Sequence, residues 1–166
     1  MLDKDTFLAV VDRAPLVAVD LVFIRNSREI LLGLRNNRPA QGFWFVPGGR
    51  IFKNEKIGAA LVRVAAAELG LGDKFGSGAL CPRLIGSFEH FYADCFAGEC
   101  GVTTHYVVLG HRLDVPDGFE LPLADAQHAE FRWWPIDEAL ASAMVHRFTK
   151  DYLLAEGFAS TSLLAE

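Results

Sequence analysis

The chain of 166 residues is poor in cysteine, with only Cys81, Cys95 and Cys100. An odd count without C-x-x-C spacing argues against a disulfide framework or a zinc site and favours three reduced thiols, the pattern of a cytoplasmic protein. Long apolar runs are missing too. The longest, LVAVDLVFI at 16–24, is interrupted by Asp20 and is too short to span a bilayer. The opening MLDKDTFLAVVDRA carries acids where a signal peptide needs a basic flank, so no such leader is expected. Positive charge is in deficit, with 16 Lys and Arg against 21 Asp and Glu. A net charge of −5 disfavours nucleic acid and anionic membranes as partners. There are no repeats and no low-complexity linker. At 51% apolar residues the chain can bury a full core, which excludes disorder and suggests one domain over 1–166.

Charge is unevenly placed. Residues 28–63 hold seven basic and two acidic residues, a local +5, and the remainder carries −10. A small anion is therefore compatible with the basic segment where a polyanion is not.

Hydrophobic patterning predicts a short opening helix capped by Asp5 or Thr6 and running to Val11. Strands follow at 16–25 and 30–34, joined by an Asn26-Ser27 turn, and a short one at 43–46 is halted by Pro47-Gly48-Gly49. Asn54 reads as the N-cap of a helix over 55–69, with Ile57, Ala60, Leu61, Val64, Ala65 and Leu69 on one face and Gly70 at its end. Residues 74–82 read as loop. Further strands are expected at 83–92, 103–113 and 130–134, then a helix capped by Asp137 and a last one over 145–155. Strands in runs with few helices between them predict a mixed sheet flanked by helices, not a doubly wound parallel sheet.

The most informative segment is GFWFVPGGRIFKNEKIGAALVRVAAAELGL, residues 42–71. From Gly49 to Leu71 it resembles the Nudix box, G-x5-E-x7-R-E-U-x-E-E-x-G-U, matching at Gly49, Glu55, Arg63, Glu68, Gly70 and Leu71, with Ala65 for the aliphatic U. Val64 and Ala67 stand where the pattern has glutamates. With GLRNNRPAQGFWFVPGGR (33–50), THYVVLGHR (104–112) and ADAQHAEFRWW (124–134), nearly the whole chain is similar to the GDP-mannose mannosyl hydrolase branch of the Nudix family. The resemblance implies an α/β fold of the α+β kind, a mixed β-sheet sandwiched between helices. It implies Mg²⁺, for which Mn²⁺ can substitute, and hydrolysis of GDP-mannose, with GDP-glucose as a second candidate. The products are GDP and the inverted hexose, from attack of water at sugar C1. It also implies a homodimer with exchanged N-terminal parts.

Carried over residue by residue, the resemblance makes Gly48 (through its carbonyl), Glu68 and Gln127 metal ligands, and His128 the general base. A histidine pKa of ~6.5 suits that role. Arg35 and Arg50 would neutralise the leaving GDP, Tyr106 would donate to phosphate, and Asp20 would orient Arg35 or the sugar. Asp20, inside a strand, is expected either exposed or paired with Arg35, because an unpaired buried charge is costly. His90 is placed either near the substrate or among packed aromatics, Phe7 as a stacking surface for guanine, and Arg38 on phosphate or in solvent. Arg63 is expected in a structural ion pair, with contact to phosphate through a Glu68 hydrogen bond as the alternative, and Glu55 near the helix N-terminus. His105 and His111 are read as structural, and Trp44, Trp133 and Trp134 as core or interface. Two other functions stay open on the residues alone: P–O cleavage by a conventional Nudix pyrophosphohydrolase, which needs more helix carboxylates, and a noncatalytic nucleotide-sugar-binding module.

Overall fold

The computed structural model describes residues 3–120 and 128–158. It contains α1 (Lys4–Arg13), β1 (Leu16–Arg25), β2 (Glu29–Arg35), β3 (Trp44–Phe45), β4 (Gly48–Arg50), α2 (Ile57–Leu69), α3 (Gly72–Gly76), β5 (Arg83–Tyr92), β6 (Thr104–Val115), β7 (His128–Pro135), α4 (Ile136–Ala141) and α5 (Arg147–Ala155). Among the described residues seven strands form one mixed sheet, ordered β3-β2-β1-β6-β5, with β4 also paired to β1 and β7 to β2. This is the helix-flanked mixed sheet that the patterning predicts.

β1 organises the molecule. Its side chains alternate between two cores. Val19, Leu21 and Phe23 pack with Ala60, Leu61, Val64 and Ala65 of α2. Ala18, Val22 and Ile24 pack with Ile136 and Ala139 of α4 and with Phe148, Tyr152 and Leu153 of α5. Burial on both faces explains why the strand reads as a nearly unbroken apolar run, and each fully buried Val, Leu, Ile or Phe contributes roughly 1.5–3 kcal/mol. One edge of β1 runs parallel to β6 along its whole length, from Leu16↔Tyr106 to Arg25↔Val115. The other edge is divided. β2 pairs with it antiparallel at Ile24 and Arg25, and β4 pairs with it antiparallel at Ala18, Val19 and Asp20. β2 also pairs antiparallel with β7 from Glu29 to Arg35, and with β3 at Gly33 and Leu34.

Several local expectations differ from what forms. Asp3, not Asp5 or Thr6, caps α1, accepting the Thr6 N–H at 2.9 Å. Pro47-Gly48-Gly49 does not simply end a strand, since Gly48–Arg50 is β4. α2 begins at Ile57, two residues later than expected, and Asn54 has φ +66° in the preceding turn instead of capping. The short α3, Gly72–Gly76, runs into the start of the expected loop. Asp137 lies inside the first turn of α4, after Pro135 in the cap position. α5 starts at Arg147 with His146 as its cap, while Val145 bridges to Trp44.

The turn before α2 is held by the one box carboxylate outside the helix. Glu55 accepts from Arg63 Nε and Nη2, both at 2.7 Å, and from the Phe52 N–H at 2.9 Å. Arg63 Nη2 also donates to the Arg50 carbonyl at 2.7 Å, and the guanidinium lies 3.9 Å from the centre of the Phe52 ring. Glu55 thus ties the turn before α2 to Arg63. The bidentate geometry is the strong form of such a pair. Hydrogen bonds from Arg63 hold the Glu55 carboxyl down at about 2. A carboxyl depressed on folding stabilises the folded state above its unfolded pKa, and that contribution is lost as pH falls through the folded value. Glu55→Gln is therefore expected to melt lower than the wild type at pH 7, by an equivalent of about 1–2 kcal/mol. The gap should narrow between about pH 4.5 and 2, which thermal melts across that range measure. A gap independent of pH would contradict the ion pair.

Candidate active site

A cleft of 270 Å³ opens where the edge of β1 is divided between β2 and β4. Its walls include Asp20 of β1, Arg35 of β2, Gly48, Gly49 and Arg50 of β4, Arg63, Val64, Ala67 and Glu68 of α2, and His90, Tyr92 and Tyr106 of β5 and β6. A wider 710 Å³ cavity continues from it, sharing Arg35, Pro39, Arg50 and Tyr106, and adding Phe7, Asn36, Asn37, Arg38, Gln41 and Phe96.

Gly48 sits at the junction. In the β1–β4 ladder, Leu21 N–H donates to Pro47 O and Ile51 N–H to Val17 O, so the Asp20↔Gly48 pair between them is not hydrogen-bonded across the ladder. The backbone groups of Gly48 therefore turn away from β1. Its N–H donates to Glu68 Oε2 at 3.0 Å, and its carbonyl points to the same side. On the other side of Gly48, a Cβ would come within 2.0 Å of Asp20 Oδ1. The carboxylate occupies the volume that any other residue would fill.

Asp20 is the single polar residue on the face of β1 that meets α5, and it is 6% exposed. Its hydrogen bond comes from Tyr152 Oη, 2.7 Å from Oδ2. This differs from the expected pairing with Arg35. Arg35 Nε donates instead to the Pro39 carbonyl at 3.1 Å, and its charge favours the Asp20 carboxylate only through space. The physical reason is the register of β1, which aims Asp20 inward at a helix 132 residues downstream. Burial pushes Asp20 up to about 7, against the opposing pull of Tyr152 and Arg35.

His90 is buried among aromatics and also lines the cleft, so both of its expected settings coincide. It stacks on Phe148 at 4.1 Å between ring centres, and burial lowers its pKa to about 3. Its Nε2 lies 3.2 Å from Tyr152 Oη. While Asp20 is ionised and takes the Tyr152 proton, the neutral imidazole is the donor from Nε2. Tyr92 and Tyr152 are two polar groups here that sequence reasoning missed. Burial raises both phenols, and the nearby Asp20 charge adds to the effect.

The remaining predicted residues are distributed as follows. Tyr106 lines both cavities, and burial raises its phenol against the opposing charges of Arg50 and Arg35. Arg50 lies on the ring of Phe7, 3.8 Å from its centre, and Phe96 lies against that ring at 4.8 Å. Phe7 therefore lines the wider cavity already in contact with two side chains. Arg38 stands at its rim, 3.9 Å from Asp94. Gln127 lies outside the described residues. Of His128 only the backbone is described, and its Cα pairs with that of Arg35 across β2 and β7.

Glu68 is 4% exposed. Its carboxylate and the carbonyl of Gly48 are hard oxygen donors on one side of β4, which fits a single hard divalent cation whose other ligands come from substrate and water. The cradle cannot be richer on the helix. Val64 packs its Cγ2 within 2.9 Å of where a Gly49 Cβ would stand, and Ala67 offers no ligand. Among the described residues no group of three or more His, Cys, Asp or Glu gathers around one point.

Gly48→Ala should lower the melting temperature by the equivalent of about 1–3 kcal/mol, since Asp20 or β4 must move. Gly58→Ala on α2, where a Cβ meets nothing within 4 Å, should be neutral or stabilising by about 0.5–1 kcal/mol. Thermal denaturation of the two variants checks this. Equal melting temperatures would contradict the tight Asp20–Gly48 junction.

The NUDIX domain pattern matches residues 14–155. The low-salt glycan biosynthesis protein Agl8 of Haloferax volcanii is 42% identical over 129 residues, 77% of this chain and 76% of that protein. Among solved structures, the MutT NUDIX hydrolase of Burkholderia pseudomallei superposes with a TM-score of 0.64 at 22% identity, over 86% of this chain and 98% of that one. The bifunctional NMN adenylyltransferase/ADP ribose pyrophosphatase of Francisella tularensis, complexed with AMP and a Mn ion, gives 0.64 at 20% identity, over 92% of this chain and 45% of that one. At these identities the two structures share the fold. The matched domain and the box on β4 and α2 agree with one another, and the chain belongs to the Nudix family of hydrolases.

Proposed function

We propose that this Nudix hydrolase cleaves GDP-mannose, with GDP-glucose as a second substrate, to GDP and free hexose by attack of water at sugar C1 with inversion. The observation that carries the reading is the composition of the cleft. α2 offers it one carboxylate, Glu68, while Val64 closes over Gly49 and Ala67 lines the wall, and Arg35 and Arg50 also line it. Such a site is short of ligands for assembling several cations around an attacked phosphorus. It is rich in groups that stabilise a departing diphosphate. The likeness to a protein named for glycan biosynthesis supports a sugar-bearing substrate.

In this reading Glu68, the Gly48 carbonyl and Gln127 would hold a Mg²⁺ or Mn²⁺ ion, which when bound neutralises diphosphate charge. Arg35 and Arg50 receive the remaining negative charge as the C1–O bond breaks and its electron pair leaves with GDP. The hydroxyl of Tyr106 donates to a phosphate oxygen; its raised pKa keeps it protonated at neutral pH. His128 takes the proton of the attacking water, and its place opposite Arg35 in the ladder puts base and leaving-group residue on neighbouring strands. The reading includes a cytoplasmic homodimer.

³¹P NMR of a reaction with GDP-mannose and Mg²⁺ should show GDP as the sole phosphorus product. GMP together with a sugar 1-phosphate would replace this reading with conventional pyrophosphohydrolysis, and intact substrate would indicate a binding module. His128→Ala should lower turnover at least about 100-fold with the fold intact. Undiminished turnover would remove His128 from its role.

A further inference from the structure

We propose that Tyr152, on the last described helix, is a positioning residue that fixes the Asp20 carboxylate for the sugar of the substrate. The inference rests on the functional reading above for the identity of the substrate, and on geometry alone for the link between the two residues.

The geometry is a chain. Tyr152 Oη donates to Asp20 Oδ2 at 2.7 Å, and His90 Nε2 lies 3.2 Å from the same Oη, where it donates while Asp20 is ionised. All three residues are buried, at 2%, 0% and 6% exposure. The other oxygen, Oδ1, lies over the bare Cα of Gly48, where the cleft begins. The carboxylate is thus bonded at one oxygen and packed against Gly48 at the other. Tyr152 itself has no freedom to wander. A Cβ on Gly110 would fall 2.9 Å from its Cε1 and 3.0 Å from its Cδ1, and Phe88 packs edge-on against its ring at 4.6 Å. Phe148, one turn earlier on α5, stacks under His90 at 4.1 Å. α5 therefore supports the cleft floor through two contacts that meet at the same three polar groups.

A carboxylate accepts hydrogen bonds and suits the hydroxyls of a hexose better than it suits a diphosphate. Asp20 stands on the cleft floor beside Tyr92, away from the wider cavity that Arg38, Asn36 and Asn37 line. Tyr152 touches no substrate in this arrangement. It acts through Asp20, and small misplacements of such a group cost rate.

The test is a double-mutant cycle of Tyr152→Phe with Asp20→Ala in the full chain. Tyr152→Phe should lower kcat for GDP-mannose about 10-fold or more, with inhibition by GDP, which lacks the sugar, unchanged within about twofold. In the Asp20→Ala background the same substitution should cost less than about twofold, because its target is gone. Full kcat in Tyr152→Phe, losses that multiply in the double variant, or GDP affinity lost in parallel would each overturn the proposal. Should Tyr152→Phe fail to fold, Gly110→Ala, which crowds the same ring, serves in its place with the same expected pattern. A crystal structure of the variant separates this inference from the functional reading. A wild type inactive on GDP-mannose would refute the substrate, while an Asp20 carboxylate turned off Gly48 in the variant would still support the positioning role. An unmoved Asp20 would refute that role whatever the substrate.

Discussion

The contact between Asp20 and the bare Cα of Gly48 is the constraint on which the site depends. It allows β4 to lie against the first half of β1 while β2 takes the second half. The cleft opens at that division. Because the Asp20↔Gly48 pair leaves the backbone of Gly48 unused by the ladder, its N–H is free for Glu68 and its carbonyl is turned to the same side. One glycine thus sets the spacing between a buried carboxylate on one side and a candidate cation cradle on the other.

The two carboxylates have contrasting environments. Glu68 receives a backbone N–H and stands beside the Gly48 carbonyl, the setting of a ligand for a hard cation. Asp20 faces the core beneath α5, where burial raises its pKa and only Tyr152 donates to it among the hydrogen bonds of the described residues. Arg63 is occupied by Glu55 and the Arg50 carbonyl, so it braces the turn and leaves Arg35 and Arg50 as cations on the cleft. The local positive charge of residues 28–63 is therefore partly structural and partly displayed to a ligand. An overall charge of −5 and an anionic substrate are compatible for that reason.

Much of this was legible in the sequence. The apolar run of β1, the hairpin with β2, the face of α2 and its stop at Gly70 follow from local patterning, and the box spacing locates Glu55, Arg63 and Glu68. What could not be read depends on contacts distant along the chain. Pro47-Gly48-Gly49 carries the local signal of a break, yet the edge of β1 makes a strand of it. Asn54 has a capping side chain, but the bond between Glu55 and Arg63 shapes that turn instead. The Tyr152–Asp20 bond spans 132 positions, and nothing near Tyr152 in DYLLAEG marks a polar role. One signal pointed to it: a lone aspartate in an apolar strand buried on both faces requires a donor from a packed element.

The central claim is that water attacks carbon and not phosphorus. Its most direct measurement is mass spectrometry of the products formed from GDP-mannose in ¹⁸O-water. Label in the hexose and none in GDP is the expected result. Label in a phosphate would contradict it and assign the cleft to P–O chemistry.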